Sequence, residues 1–254
     1  MSAKPRDQFV LATKVGRLLR AGAPPQSETF PDAPPLNPVF DFSYDGVMRS
    51  VEESVSRLGI ERIDILHIHD PDDHFAEALS EAYPALDRLR AEGTITAVGA
   101  GMNQAEMLAR FAREANFDCF LLAGRYTLLD QVGLKELLPL CAERGIAIIA
   151  GGVFNSGILA DPTPGTHYNY KAAPDELVRR AGRIKAVCER HGVSQKAAAI
   201  QFPLGHPAVQ TVLTGCRSVD ELNENVEAFQ APIPPAAWDE LKADGLLVAN
   251  APVP

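Results

Sequence analysis

Three residues in the first third of this 254-residue sequence have the types and spacing to do chemistry: Lys14, His67 and His69. Lys14 closes the apolar run "FVLATK" (9–14), and the histidines close "RIDILHIH" (62–69). A lysine in an apolar strand is expected to be buried. Burial costs on the order of several kcal/mol unless the charge is paired or used. Side chains alternate along a strand, so Ile65, His67 and His69 share one face and Leu66 and Ile68 the other. Two histidines so placed suit a metal pair of the His-x-His hydrolase kind. They also suit a single working histidine, His69, with His67 one layer deeper. A metal site needs three or four ligands. The other histidines are His74, His167, His191 and His206; His191 and His206 lie near helix ends with no ligand spacing, and Asp70, Asp72 and Asp73 read as loop acids that are solvated or capping.

Lys14 and His69 end consecutive strands. Neighbouring strands lie ~4.8 Å apart, so both side chains are expected to line one pocket floor. An ammonium lowers the pKa of a neighbouring group and helps a phenol give or take a proton. A neutral histidine orients a carbonyl oxygen. The pair suits carbonyl/alcohol redox chemistry. It equally suits a Schiff-base aldolase, with the lysine as nucleophile.

The elements that must hold these residues alternate between strand and helix. Apolar runs at 9–14, 62–69, 95–101, 117–123, 146–152 and 209–215 read as six strands. Helices are predicted at 45–59, 76–92, 104–115, 133–144 and 174–191, from Ser194, and at 218–228. In the first helix Val47, Val51, Val55 and Leu58 form the expected core stripe and Gly59 the stop. A Pro-rich stretch (21–43) is too long for a tight connector and reads as an excursion. The closing residues read as a short helix and an irregular tail. Strands apolar on both faces, alternating with helices, mean a parallel sheet covered by helices. No Gly-x-Gly-x-x-Gly follows the first strand, so a Rossmann fold lacks its main support. The expected fold is an α/β barrel of (β/α)₈ type with about six of eight strands, in one domain spanning 1–254. Such a fold carries chemistry at the C-terminal strand ends.

Composition narrows the partners. Apolar residues are 46%, charged residues 22%, and the formal net charge is −9, which argues against nucleic acid or an anionic membrane as partner. No apolar run reaches the ~18 residues of a membrane span, and "MSAKPRDQ" has no signal core behind it. Cys119, Cys141, Cys188 and Cys216 are scattered with no Cys-x-x-Cys pair, so buried thiols in a reducing cytoplasm are expected.

The runs "FVLATKVGR", "RSVEESVSRLGIERIDILHIHDPD", "VGAGMNQ", "GRYTLLDQ", "ERGIAIIAGGVFNSGIL" and "VLTGCRSVDELNENV" occur in this order. Together they resemble the aldo-keto reductase superfamily, and within it the bacterial L-fucose/D-threo-aldose 1-dehydrogenase branch. The resemblance implies a (β/α)₈ barrel that transfers hydride to or from NAD or NADP without metal, using Asp, Tyr, Lys and His. It matches Lys14 to the family lysine and His69 to the family histidine. It implies that "GGVFNSG" wraps the cofactor pyrophosphate, with Gly152, Phe154 and Ser156 as amide donors. It implies that Gly215, Arg217, Ser218, Glu221 and Asn225 hold the adenosine end, and that Gly101 and Asn103 stand near the nicotinamide amide. The substrate implied is a small sugar or aldehyde.

Several positions depart from the family pattern. Where many relatives place cations for the 2′-phosphate of NADP, this sequence has Gly215 and Glu221, which favours NAD, although Arg217 is close by. Gly151 stands where many relatives stack a tyrosine on the nicotinamide. The family run Asp-Thr-Ala-x-x-Tyr-Gly, which supplies Asp and Tyr, does not occur. Of the tyrosines at 44, 83, 126, 168 and 170, none precedes Lys14. The expectation is a chain lacking two N-terminal βα units. Its reaction is then oxidation of an aldose at C1 or reduction of a related aldehyde. The alternatives are a catalytically impaired cofactor-binding fragment and, remotely, a metal-dependent hydrolase using His67 and His69.

Overall fold

The computed structural model describes residues 4–22, 36–163, 165–169 and 171–254. They group into two compact units, Met1–Met102 with Arg110–Leu121, and Asn103–Ala109 with Leu122–Pro254.

The first unit is built on parallel strands β1 (Ala12–Val15), β4 (Ile65–His69) and β5 (Ala97–Met102). The start of β6 (Cys119–Ala123) lies beside β5, with the Asp118 amide donating to the Val98 carbonyl at 2.9 Å. Register pairs Lys14 with His67, His67 with Gly99, and His69 with Gly101. Paired residues of a parallel ladder point to the same face, so these residues form one surface. Asp64 pins β1 to β4. Its Oδ2 accepts from the Leu11 amide at 2.7 Å and from Arg6 Nη2 at 2.6 Å. Burial opposes ionisation of Asp64, and the Leu11 amide, Arg6 and Arg62 outweigh it, holding the carboxyl below its ordinary value.

Part of the Pro-rich stretch is not a plain excursion. β2 (Arg17–Ala21) and β3 (Leu36–Phe40) pair antiparallel, with Arg17 opposite Phe40. Residues 23–35 of that stretch lie outside the described residues. Helix α1 (Tyr44–Leu58) starts at Ser43, whose Oγ accepts from the Gly46 amide, and stops at left-handed Gly59, as the sequence predicts. Its buried face is offset from the expected stripe. Gly46, Val47, Ser50 and Ser54 are buried, and Leu58 is exposed. The helix predicted at 76–92 is interrupted: α2 (Phe75–Glu77) leads through a π turn, Ala78–Ala82, into α3 (Tyr83–Ala91). Phe111, Phe117 and Phe120 form an aromatic cluster in this unit's core, with centroids 5.2 to 5.5 Å apart along the series.

The second unit holds α4's first turns (α4 is Ala105–Glu114), the end of β6, and α5 (Leu137–Arg144). It continues with β7 (Ala147–Gly151), the short hairpin β8 (His167–Tyr168) and β9 (Lys171–Ala172), α6 (Asp175–Arg190) and α7 (Gln195–Gln201). It closes with β10 (Val209–Leu213), α8 (Val219–Gln230) and α9 (Pro235–Ala243). β7 and β10 pair in parallel, and the Gly124 amide donates to the Gly151 carbonyl at 2.8 Å. The β8–β9 hairpin is absent from the sequence expectation because each strand is only two residues long. Tyr126, Phe202 and Trp238 form the core here, with ring centroids 4.9 and 6.3 Å apart. Along α8, Val219, Leu222, Val226 and Phe229 face solvent. The six predicted strands are thus all present, each within a few residues of its expected bounds.

Candidate active site

Lys14 corrects one expectation: it is exposed. The physical reason is its strand. Among the described residues β1 pairs on one side only, with β4, so its outer edge meets water and the ammonium keeps its hydration. The side chain nevertheless runs inward along the sheet. A Cβ built on Gly101 would meet Lys14 Cε at 3.8 Å and His67 Cβ at 3.9 Å. No ion pair holds Lys14 among the described residues.

His67 is 1% exposed, one layer below His69 as expected. A Cβ on Gly99 would stand 2.3 Å from His67 Nδ1 and 2.8 Å from the Cys119 carbonyl, so Gly99 makes room for the ring. Neither ring nitrogen reaches a hydrogen-bond partner among the described residues. The Ala100 backbone beside the ring works against the fall of its pKa. Burial first, and the Lys14 charge second, lower the His67 pKa to about 4, so the ring is neutral at pH 7.

His69 is half-buried at the end of β4. Burial, then the charges of Arg17 and Lys14, then His67, lower its pKa to about 3. Its Nε2 stands 3.3 Å from Asp70 Oδ2, the same oxygen that accepts from Arg17 Nη2 at 2.6 Å. Asp70 sits in a left-handed turn (φ 41°), and its amide donates to the Gly101 carbonyl at 3.0 Å. Burial raises the Asp70 pKa, although Arg17 and Lys14 work against the rise. Asp70 is therefore more than the solvated loop acid expected, and Arg17 was not expected at all. Their signal lay in a strand-end acid and in a base three residues after Lys14. Nothing local foretold that a hairpin would bring Arg17 to Asp70.

The first unit's tyrosines are engaged elsewhere. The Tyr44 hydroxyl accepts from Arg88 Nη1 at 2.9 Å, and that of Tyr83 donates to the Asn116 carbonyl at 3.2 Å. Among the described residues no three His, Cys, Asp or Glu side chains gather as metal ligands would.

In the second unit, Gly152, Asn155, Ser156 and Gly157 all have positive φ. The Asn155, Gly157 and Leu159 amides close internal turns onto Gly152 and Phe154 carbonyls. The Gly152 and Phe154 amides donate to no backbone carbonyl among the described residues. Successive amides in such conformations form a concave nest suited to an anion. Asn155 anchors the loop. Its Oδ1 accepts from Thr127 Oγ1 at 2.6 Å and its Nδ2 donates to the Gly124 carbonyl at 3.2 Å. Asn103 Nδ2 donates to the Ala123 carbonyl at 2.8 Å, so its orientation is fixed by the end of β6.

After β10, Ser218 caps α8, its Oγ accepting from the Glu221 amide at 3.1 Å. Glu221 accepts the Arg217 amide on Oε2 at 2.8 Å and the guanidinium on Oε1 at 3.1 and 2.8 Å. The cation and the acid noted at these positions therefore form one pair. Asn225 is buried and donates to Cys216 Sγ at 3.2 Å, while Gly215 has open space where a side chain would be. Cys119, Cys141 and Cys188 are buried, as expected, and burial raises their thiols to about 12, 12 and 11. Cys216 departs from that expectation because it lies on the exposed loop. Tyr126 is a core residue, its hydroxyl without a partner among the described residues. No helix among the described residues is long and apolar enough to cross a membrane.

Comparison with known proteins gives a consistent picture. The model of the Aldo/keto reductase family matches residues 1–244. A D-threo-aldose 1-dehydrogenase of Pseudomonas sp is 44% identical over 254 residues, covering 95% of this chain and 76% of the relative. A pyridoxal 4-dehydrogenase of Microbacterium luteolum is 43% identical over 268 residues, covering 95% and 77%. Among solved structures, an aldo-keto reductase of Bacillus halodurans in its holo form superposes with TM-score 0.73 at 24% identity. It covers 97% of this chain and 75% of its own, and shares the fold.

Proposed function

This chain belongs to the aldo/keto reductase family, a family of oxidoreductases, and we propose that it transfers hydride between NAD or NADP and C1 of an aldose, or a related aldehyde. The observation that carries the reading is the placement of Lys14 and His69 on one face of adjacent parallel strands, with Gly101 beside them on that face. The names of the two relatives, an aldose 1-dehydrogenase and a pyridoxal 4-dehydrogenase, support a small hydroxyl or carbonyl substrate. The impaired-fragment alternative draws no support from these relatives.

The second unit's residues fit a dinucleotide. The Gly152–Gly157 nest suits a pyrophosphate, with the Gly152 and Phe154 amides as donors; Ser156 belongs to the same turn. Asn103, fixed through its Nδ2, presents Oδ1 to a carboxamide. Gly215, Arg217, Ser218, Glu221 and Asn225 form the adenosine end. Because Glu221 neutralises Arg217, NAD is favoured over NADP. Bound nicotinamide would supply the acceptance or release of hydride at C1.

The first unit's residues handle the oxygen. His69, neutral at pH 7, orients the substrate oxygen through a ring nitrogen. The hydroxyl proton leaves to solvent water in oxidation and returns from it in reduction, and the Lys14 ammonium on that face stabilises the oxyanion form. Asp70, held by Arg17, lies beside the His69 ring, its Oδ2 3.3 Å from Nε2. The test is turnover of L-fucose and of pyridoxal with NAD or NADP, followed by nicotinamide absorbance, in the wild type and Lys14→Met. Turnover lost in the variant supports the reading. Wild-type protein inert toward both substrates with both cofactors overturns it.

A further inference from the structure

We infer that Arg17 is a positioning residue: it occupies the Asp70 carboxylate and so keeps the neighbouring His69 ring free for the substrate oxygen. One oxygen atom carries the argument. Asp70 Oδ2 accepts from Arg17 Nη2 at 2.6 Å and stands 3.3 Å from His69 Nε2. A carboxylate that close to an imidazole, with no other cation on it, favours the charged imidazolium and draws its N–H away from a substrate. The Arg17 guanidinium neutralises this carboxylate, and at the shorter distance. The ring it spares is the one read above as orienting the substrate oxygen, so the inference rests on that reading.

The backbone commits Arg17 to this place. Gly16 turns the chain between β1 and β2 with φ 97°, and a Cβ there would stand 2.2 Å from the Phe42 ring, so the turn requires glycine. The Gly16 carbonyl accepts from the Asp41 amide at 3.0 Å, which closes the base of the β2–β3 hairpin. Arg17 stands opposite Phe40 in that hairpin, and its guanidinium lies 4.9 Å from the Phe40 ring centre. Asp70 is held by its own backbone, with φ 41° and its amide on the Gly101 carbonyl at 3.0 Å. The charged and titratable groups around His69 are Lys14 on β1, Arg17 on β2, His67 on β4, and Asp70, on which Asp72 acts in turn. His74, stacked on Phe40 and Phe42, pairs with Glu77 instead. Burial first, then Arg17, Lys14 and His67, hold the His69 pKa at about 3 although a carboxylate adjoins the ring.

The test titrates His69 by NMR through its Cε1–H resonance, assigned by its loss in His69→Asn. The proteins compared are the wild type, Arg17→Met, Arg17→Lys and the double variant Arg17→Met/Asp70→Asn. In Arg17→Met the bared Asp70 carboxylate is expected to raise the His69 pKa from about 3 toward the ordinary 6.5 or above it. Arg17→Lys is expected to stay near the wild type, since an ammonium also neutralises the carboxylate. The double variant is expected to return near the wild type, because the carboxylate is gone while burial and Lys14 remain. In turnover the acid limb of kcat/KM should follow, with Arg17→Met losing on the order of fourfold or more at pH 6 relative to pH 8. Arg17→Gln replaces the Met variant if that protein does not fold. An unchanged His69 pKa in the folded Met or Gln variant overturns the proposal. So does a pKa raised equally in the double variant, since Arg17 then acts on His69 without Asp70. Wild-type protein without turnover would overturn the reaction reading, while the titration still decides what Arg17 does for Asp70 and His69.

Discussion

Glu221 holds Arg217 twice, its Oε1 2.8 Å from the guanidinium Nη2 and its Oε2 2.8 Å from the backbone amide. The cation nearest the expected adenosine end is therefore neutralised by its own helix. Glu221→Gln is expected to free it. KM for NADP should then fall on the order of three- to tenfold relative to NAD, the scale of one exposed cation meeting a phosphate. Unchanged cofactor preference in steady-state kinetics would count against the assigned role of this pair.

Lys14→Met is expected to reduce kcat by about 10²–10⁴, the range for a group acting on proton transfer. Its effect on stability should be small, because Lys14 is exposed and unpaired among the described residues. Denaturant titration beside turnover assays separates the two effects. A large loss of stability would mean the lysine is structural.

Acid should weaken the fold through His67. Its folded pKa of about 4 lies below the ordinary 6.5. Between these values the unfolded chain binds a proton that the folded ring refuses, so stability falls as pH falls through the window. It is fully present above it. One such group contributes up to roughly 3 kcal/mol. Unfolding free energies measured across that range should show the slope, and His67→Leu should flatten it, leaving the share due to His69.

Gly152→Ala is expected to cost about 1–2 kcal/mol, the penalty of a left-handed residue that carries a Cβ. Gly152 has φ 62°, and the new Cβ would stand 3.1 Å from the Gly124 amide nitrogen. Cofactor affinity should weaken with it, because the nest's amides turn with that backbone. Fluorescence titration with NAD and thermal unfolding check both effects.

Leu222→Lys with Phe229→Glu is expected to raise solubility without lowering the melting temperature. Leu222 and Phe229 are 49% and 52% exposed, so little buried area is lost. Light scattering against concentration reads the first effect, and a thermal melt the second.

Much of this molecule was legible in local sequence patterns. Ser43 and Gly59 bounded α1, Ser218 began α8, and the runs ending in Lys14 and His69 became β1 and β4. Such features depend on a few neighbouring residues, and the chain records them directly. The glycine-rich "GGVFNSG" likewise marked the loop that follows β7. The misses were of another kind. Lys14 was expected in the core and lies exposed, because exposure depends on whether a second strand covers β1. The α1 stripe was expected at Val47, Val51, Val55 and Leu58. The actual buried face follows what packs against the helix: it keeps Val47 but takes Ser50 and Ser54 in place of the rest.

Composition, strand order and the identities of Lys14 and His69 were decided by the sequence alone, because periodicity and chemical type are local properties. The Arg17–Asp70–His69 cluster and the fit of Gly99 against His67 were decided only in three dimensions. Arg17 and Asp70 stand 53 residues apart, and a hairpin together with a parallel register is needed to bring them within 2.6 Å. That register comes from long-range hydrogen bonding between strands, which no single stretch of sequence encodes.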